Sequence, residues 1–350
     1  MTTSSVFCAI FYVFLSIQAY LPMKHISIIV YEDAMPTALS TTTALLTSAN
    51  EAALIKGIPL PFQIELVGVH AKNVQSNLPI QFSCSKTLSD QFDTDVVIIP
   101  PMKDGPEDIN TMLSKNSKLI SWVKKKYEQK SEIISLCTGA YFLAESGLLD
   151  NMPATSHWNA IEDLQQRYPL IDFKPDHVVT HSKAIITGGG GFSSLNALLY
   201  FIEKNCGKEI SVSLSKYYEL DYGRTSQNIF TIFSGQRRHD DHDIHIAQSY
   251  IETEFTTEIS VEQVASQVNM SRRNFIRRFK NATSLNPIEY IQRVKVEAAK
   301  KALETGENNI ADVTYSIGYN DLRTFRTIFK RITGLTPIDY RNKYKSQETA

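Results

Sequence analysis

The sequence is poor in the residues that build metal centres and disulfide frameworks. Four of its 350 residues are cysteine, and none is spaced from another as the ligands of a zinc or haem motif are. We therefore predict no metal, no cofactor and no structural disulfide, a pattern typical of a cytoplasmic protein. With a formal net charge of -1, the chain also lacks an overall excess of positive charge. Any surface that binds nucleic acid must therefore be a local one.

A stretch near the C-terminus repeats itself at a constant offset in the sequence. The recurring residues of the first copy are Arg273, Phe275, Phe279, Lys280, Thr283, Leu285, Pro287, Ile288 and Tyr290. They return as Arg323, Phe325, Phe329, Lys330, Thr333, Leu335, Pro337, Ile338 and Tyr340. A match that runs through helix, turn and the following element indicates a duplicated structural unit.

Each copy predicts two short helices around a tight turn, which is the helix-turn-helix pattern. In the first copy Ser260 and Ser271 are the expected caps of the two helices, and Asn269 lies in the turn. In the second copy Gly318 makes the turn and Asp321 caps the second helix. Phenylalanines four residues apart give each second helix a buried face.

The second helix of each copy is cationic. The cations are Arg272, Arg273, Arg277, Arg278 and Lys280 in the first copy, and Arg323, Arg326, Lys330 and Arg331 in the second. One such run is often only a solvated helix face, but two on duplicated units favour contact with double-stranded DNA. A helix predicted over residues 291–304 would join the two units and hold them at a fixed separation. Two reading helices about 34 Å apart would enter successive major grooves on one face of the DNA.

Residues 260–343 resemble the DNA-binding domain of AraC/XylS-type transcriptional regulators. The matching stretches are VEQVASQVNMSRRNFIRRFK, SLNPIEYIQRVKVEAAKKAL and IADVTYSIGYNDLRTFRTIFKRITGLTPIDYR. The resemblance implies that the base-reading residues are Arg273, Arg277, Arg323 and Thr327, and arginine can pair with both acceptors of guanine. The neighbouring residues expected to contact DNA are Arg272, Asn274, Thr324 and Arg326. Ser284 and Thr314 depart from the glycine and alanine that are common there, which affects turn geometry and packing.

Upstream, the sequence predicts a different class of fold. The expected strands are Ile26–Tyr31, Ile64–Val69, Val96–Pro100 and Ile133–Cys137. Apolar strands with helices between them indicate a flavodoxin-like α/β domain, with a parallel sheet covered on both faces. The expected organisation is an apolar extension at residues 1–22, the α/β domain at 23–222, a polar linker at 223–242 and an all-α domain with two helix-turn-helix units at 243–345.

The segment SLCTGAYFLAESGLL places Cys137 at a turn from a buried strand into a helix predicted over Gly139–Leu149. Such a turn exposes the cysteine side chain above the sheet. Together with TSHW at Thr155–Trp158 and the later VVTHSKAIITGGGGFSSLNALLYFIE, it makes residues 24–205 resemble the PfpI-like, class I glutamine amidotransferase-like fold. This fold joined to an AraC-type tail is a known regulator architecture, and it implies a DNA-binding transcriptional regulator.

Cys137 leaves an enzyme as the alternative function. A helix N-terminus could activate its thiol as the nucleophile of a thiol-dependent hydrolase or a glyoxalase-like enzyme tethered to a DNA-binding tail. Against this, Thr138 stands where hydrolytic members of the fold carry histidine. The acidic residue expected after the first strand is also missing, Thr37 or Ala38 being nearest its place, and Asn196 stands where related regulators often carry aspartate.

We therefore expect a pocket that has no catalytic role and senses a small metabolite, with Cys137, Thr138, His157 and Trp158 near its rim. Trp158 could stack on a planar or cationic ligand or simply pack in the fold. Related regulators respond to amino acids or to quaternary amines such as betaine and carnitine, and the sequence does not select among them. Redox sensing through Cys137 is a lower-ranked possibility. The expected macromolecular partners are DNA, a second copy of the chain in a homodimer and RNA polymerase, with no membrane.

The N-terminus carries the longest apolar run of the chain. Val6–Leu21 resembles a short membrane or export segment, although no lysine or arginine precedes it. Such a segment conflicts with DNA binding, and Met23 directly precedes the first predicted strand. We therefore expect the natural start at Met23 and a misassigned extension before it, a membrane-anchored regulator being the alternative.

Overall fold

The computed structural model describes residues 22–76, 78–102, 109–306 and 309–345, and the chain divides into two compact units between Thr225 and Ser226. The apolar segment Val6–Leu21 lies outside the described residues. Among the helices within these ranges, none is long and apolar enough to cross a membrane.

The first unit is built on one large sheet. Its described strands are β1 (Lys24–Val30), β2 (Phe62–Gly68), β3 (Asn73–Gln75), β4 (Gln81–Ser83), β5 (Lys86–Thr87), β6 (Val96–Ile99), β7 (Glu132–Leu136), β8 (Pro153–Ala154), β9 (Asp172–Phe173), β10 (Val179–Ser182) and β11 (Ile185–Gly188). Seven of them form a sheet in the order β10-β11-β7-β6-β1-β2-β5. Neighbouring strands run parallel, except for the antiparallel pair β10 and β11.

Helices accompany this sheet along the chain. They are α1 (Pro36–Ile55), α2 (Ile109–Lys115), α3 (Ser117–Glu128), α4 (Ala140–Glu145), α5 (Ile161–Arg167), α6 (Leu195–Cys206) and α7 (Lys208–Tyr217). Every residue of β6 and β7 is buried, as expected for strands of a parallel sheet covered on both faces. The predicted α/β class and the four predicted strands are confirmed, with ends that differ by one or two residues.

The helix predicted over Gly139–Leu149 is present, but its predicted C-terminal end was wrong. The chain first makes a 3-10 turn at Cys137–Gly139, and the α-helix then ends at Glu145. Gly147 takes a φ of 75°, which lies in the left-handed region where helices commonly stop. The Ser146 hydroxyl also donates to the Leu143 carbonyl at 2.8 Å, which satisfies one of the last helical acceptors.

The second unit is helical. Its helices are α8 (His242–Glu254), α9 (Val261–Gln267), α10 (Arg272–Thr283), α11 (Pro287–Thr305), α12 (Ile310–Ser316), α13 (Leu322–Thr333) and α14 (Pro337–Tyr344). The predicted caps are confirmed: Ser260 forms a capping box on α9, and the side chains of Ser271 and Asp321 accept N–H groups of α10 and α13. The predicted turns have positive φ, 52° at Asn269 and 72° at Gly318. Helix α11 contains the connection predicted over residues 291–304.

The two copies match in atomic detail as well as in sequence. Phe275 and Phe279 are 5.3 Å apart between ring centroids at 59°, and Phe325 and Phe329 are 5.5 Å apart at the same angle. Thr283 and Thr333 each donate to the carbonyl four residues earlier at 2.8 Å. A duplicated sequence therefore builds the same local packing twice.

The stretch predicted as a linker, residues 223–242, is attached to the second unit over much of its length. Phe233 packs on the core of the first helix-turn-helix unit, and its backbone N–H donates to Glu297 at 3.1 Å. Lys300 donates to the Thr231 carbonyl at 2.6 Å, and Ile229 packs on the core of the second helix-turn-helix unit. A polar composition indicated a loop, but it did not show that this loop lies against the helices.

Ser284 offers a test of local backbone strain. It ends α10 with a φ of 59°, where the equivalent residue of the second copy is Gly334 at 82°. Because a side chain is disfavoured in the left-handed region, we expect Ser284→Gly to raise the free energy of unfolding by about 1 kcal/mol. Urea unfolding followed by circular dichroism measures this. A variant less stable than the wild type would show that the Ser284 side chain makes contacts that outweigh the strain.

Candidate functional site

Helix α10 presents one polar and one buried face. Phe275 and Phe279 are fully buried, and Arg273 and Arg277 are exposed on the other side of the helix. The guanidinium of Arg277 donates to the Asn274 side-chain oxygen at 2.9 Å, which couples these two predicted contact residues. Such an amphipathic helix can be held by its core while its cations reach a groove of DNA.

Not every cation of α10 is available for DNA. Arg278 bonds Asp241 at 2.6 Å and Asp243 at 3.0 Å. Its hydrogen bonds hold the pKa of the Asp241 carboxyl below its usual value. From the sequence, Arg278 was included among the cations of this helix. Both acidic partners lie some 35 residues earlier in the chain, and only the fold brings them close to it. The predicted contact Arg272 also has an acidic neighbour, Glu262 at 2.6 Å, although both side chains are largely exposed.

Helix α13 repeats this arrangement in the second copy. Its exposed predicted contacts are Arg323, Thr324, Arg326 and Thr327. Asp321 caps the helix by accepting from the backbone N–H groups of Arg323 and Thr324, at 3.3 and 2.6 Å. Its bonds to Thr324 and Arg323 lower the pKa of Asp321, so the cap stays ionised at the start of the helix. The Thr327 hydroxyl donates to the Arg323 carbonyl at 2.9 Å.

The first unit contains a cavity of about 220 Å³ beyond the carboxyl ends of its central strands. The lining residues within the described chain are Met35, Thr37, Ala38, Thr41, Pro101, Leu136, Cys137, His157, Gly191, Phe192, Ser194 and Leu195. Most of them lie at or just after the ends of β1, β6, β7 and β11, and His157 follows β8. In the sheet, β1 has β2 on one side and β6 on the other. Open α/β sheets bind ligands at such a reversal of strand order.

The lining gives the cavity a definite electrostatic character. It includes no aspartate, glutamate, lysine or arginine among the residues that the structure describes. Helix α1 begins beside it at Pro36 and α6 at Leu195, and neither has an acidic residue in its first described turn. Helix N-termini carry a partial positive charge. These two helix starts would therefore favour a neutral or negative group placed beside them.

Cys137 is buried at the base of this cavity, with 4% of its surface exposed. It takes a φ of 54°, so the predicted elbow is present, but the predicted exposure of the side chain was wrong. The reason is that the segments after β1 and β11 also line this cavity and enclose the end of β7. The turn itself is closely packed, since a Cβ on Gly139 would lie 2.7 Å from the Ile99 carbonyl oxygen. Ser156 also covers the turn by donating to the Cys137 carbonyl at 2.8 Å.

His157 is the second predicted residue that lines the cavity. Its Nδ1 accepts the Asn159 backbone N–H at 3.1 Å, so the neutral imidazole carries its proton on Nε2. The ring packs so tightly on Gly190 that a Cβ there would lie 2.4 Å from its Cδ2 atom. In the run Gly188–Gly191, Gly190 therefore leaves room for the His157 ring, and Gly191 makes the backbone turn with a φ of 55°.

Three residues that the sequence placed near the pocket, Thr138, Trp158 and Asn196, are not among the described residues that line it. The Thr138 hydroxyl accepts the Met102 backbone N–H at 3.1 Å. Trp158 is half-buried and tilted against His157, with ring centroids 5.2 Å apart, and Asn196 donates to the Ser193 carbonyl at 3.3 Å. Phe192 was not predicted from the sequence. It lines the cavity, and 72% of its surface is exposed. An aromatic residue directly after a glycine run was the available signal.

Both units resemble known proteins. The DJ-1/PfpI family model matches residues 28–203, and a helix-turn-helix domain model matches residues 264–343. The chain is 22% identical over 229 residues to the HTH-type transcriptional regulator GbdR of Pseudomonas aeruginosa, covering 63% of this chain and 60% of GbdR. It is 24% identical over 222 residues to the HTH-type transcriptional regulator ArgR of the same species, covering 63% of this chain and 67% of ArgR. It is also 34% identical over 106 residues to the bifunctional transcriptional activator/DNA repair enzyme AdaA of Bacillus subtilis, covering 30% of this chain and 50% of AdaA. The matched region thus spans about 60% of the length of the first of these relatives.

Proposed function

This chain belongs to the DJ-1/PfpI family through residues 28–203 and carries a helix-turn-helix domain of the AraC type, and we propose that it is a sequence-specific DNA-binding transcriptional regulator. The observation that carries the proposal is the presentation of exposed arginines at equivalent points of two matched helices, Arg273 on α10 and Arg323 on α13. HTH-type regulators among its relatives support the same function.

DNA recognition is assigned to both helices. Arg273, Arg277 and Arg323 can each donate two hydrogen bonds to a guanine, and Thr327 can contact a base edge. Arg272, Asn274, Thr324 and Arg326 are assigned to further contacts with bases or phosphates. Because Arg278 is held by Asp241 and Asp243, it is left out of this set.

We assign sensing of a small molecule to the cavity around Cys137 and His157. Amino acids and betaine-like quaternary amines both carry a carboxylate, which suits the helix N-termini at Pro36 and Leu195. Phe192 is the aromatic lining residue assigned to an apolar or cationic end of the ligand, and Trp158 packs against the lining residue His157. In this proposal the effector changes how the DNA-binding units are presented, which requires different affinities for the two states. The chain acts as a homodimer that recruits or blocks RNA polymerase.

Two measurements test this function. Selection of DNA from a pool of random duplexes should recover one recurrent sequence, and recovery of unrelated sequences would contradict specific binding. Titration with amino acids and quaternary amines, followed by tryptophan fluorescence and DNA affinity, tests sensing. Gly190→Ala is the informative variant, because its Cβ displaces His157. An effector whose influence on DNA affinity is the same in this variant does not act through the cavity.

The second candidate function is a thiol-dependent enzyme, favoured by the elbow conformation of Cys137 and by its place beside His157 in one cavity. We expect Cys137→Ala to keep the wild-type affinity for the selected DNA within about twofold, since the side chain is buried in the first unit and makes no DNA contact in our assignment. Electrophoretic mobility shift measures this affinity. Hydrolase or glyoxalase turnover that disappears in Cys137→Ala would instead establish the enzyme.

A further inference from the structure

The connecting helix α11 carries a buried lysine that joins the two helix-turn-helix units. Lys295 is 4% exposed, and its ammonium donates to the carbonyls of Thr257 at 2.9 Å, Ile317 at 2.9 Å and Gly318 at 3.0 Å. An ammonium has three N–H groups, and here each has one acceptor. The ammonium also lies over the ring of Tyr319, with 5.2 Å between the Nζ atom and the ring centroid.

The three acceptors belong to two segments that are distant in the sequence. Thr257 lies between α8 and α9, at the entrance to the first helix-turn-helix unit, and Ile317 and Gly318 form the turn of the second. Gly318 shows how tightly these segments meet, because a Cβ there would lie 2.6 Å from the Thr256 carbonyl oxygen and 2.7 Å from the Lys295 Nζ atom. A residue with any side chain would push the two segments apart.

Other contact between the two units is limited at this place. Their cores form separate clusters, and Phe255 packs on both. A groove of about 520 Å³ lies between them, lined by Glu262 and Arg272 of the first helix-turn-helix unit and by Tyr319 and Thr324 of the second, among others. Side chains do not fill this groove, so the two helix-turn-helix units are joined by helix α11, whose residues enter both cores, and by the bonds of Lys295.

We propose that Lys295 is a positioning residue that fixes the distance and angle between the two reading helices, and thereby sets the spacing of the two DNA half-sites that the protein accepts. This inference rests on the proposed DNA-binding function. Hydrogen bonds to three backbone carbonyls give the lysine a fixed geometry, and their burial strengthens them relative to bonds in water. One inserted base pair moves a half-site along the duplex by about 3.4 Å and rotates it about the axis, so a rigid pair of helices must discriminate against it.

The test compares the full-length wild type with Lys295→Met, which keeps a chain of similar length but removes all three N–H groups. The probe is the duplex selected from random DNA, with its spacer unchanged or altered by one base pair, together with a duplex that keeps one half-site. The wild type should lose at least about tenfold in affinity for an altered spacer. Lys295→Met should bind altered and unaltered spacers within about threefold of each other, with unchanged affinity for the single half-site.

Lys301→Met is the matched control, because Lys301 is exposed on the same helix, and it should keep the wild-type spacing preference. If circular dichroism shows that Lys295→Met is unfolded, Lys295→Gln replaces it, since an amide keeps two of the three donors. A folded Lys295 variant that keeps the wild-type spacing preference overturns the role of Lys295. So does a variant that loses as much affinity for the single half-site as for the complete duplex. A wild-type chain that selects no sequence contradicts the proposed function itself.

Discussion

Replacing Arg273 and Arg323 together by alanine is expected to weaken binding to the selected DNA by roughly thirtyfold to twenty-thousandfold, because each arginine paired with a guanine contributes about 1–3 kcal/mol of discrimination. The two side chains occupy equivalent exposed positions on α10 and α13. They lie far enough apart in sequence and packing for their losses to add. Fluorescence anisotropy with a labelled duplex measures the affinity at one fixed salt concentration.

The controls separate base reading from general attraction to phosphate. Lys124→Ala with Lys208→Ala removes the same charge from exposed positions of the first unit, and its affinity should stay within about threefold of the wild type. The arginine variant should lose more affinity for the selected sequence than for random DNA. An equal loss of affinity for the selected and the random duplex would mean that these arginines contact only phosphates. An unchanged affinity would mean that α10 and α13 do not bind DNA.

Features that depend on neighbouring residues in the sequence were predictable. Ser260, Ser271 and Asp321 cap helices because a short side chain can reach an N–H two or three residues onward, and each was found in that role. The repeat constrained the prediction further, since every element had to fit twice. The parallel sheet was predictable for a similar reason, because strands buried on both faces are apolar along their whole length.

Features that depend on distant residues were not predictable in the same way. Arg278 belongs to a cationic run and Lys295 to the connecting helix, yet the first is paired with Asp241 and the second is buried against backbone carbonyls from two distant segments. A run of charges shows how many cations a helix carries, but it does not show which of them pair within the protein and which are exposed. The cavity follows the same rule: residues as far apart as Thr41 and Phe192 line it, and only the convergence of strand ends brings them together.

The repeat also predicts matched energetic losses. Phe279→Ala and Phe329→Ala each remove a fully buried ring that packs on a tyrosine, 5.2 Å from Tyr290 and 5.5 Å from Tyr340. Each substitution should lower the free energy of unfolding of the second unit by about 3–5 kcal/mol. Urea unfolding of the full chain followed by helical circular dichroism measures this loss.

The fluorescence of the same samples provides an internal control, because both tryptophans of the chain, Trp122 and Trp158, belong to the first unit. The fluorescence transition should therefore keep its midpoint while the helical signal moves to lower urea. Tyr315→Ala, at a residue that is 59% exposed in the second unit, should change stability by no more than about 0.5 kcal/mol. Because the two phenylalanines have equivalent neighbours, their losses should agree within about 1 kcal/mol, the scatter expected from differences in cavity relaxation. A loss of stability confined to one of them would mean that the repeated sequence does not have the same structural role in both copies. One helix-turn-helix unit would then supply most of the stability of the DNA-binding domain.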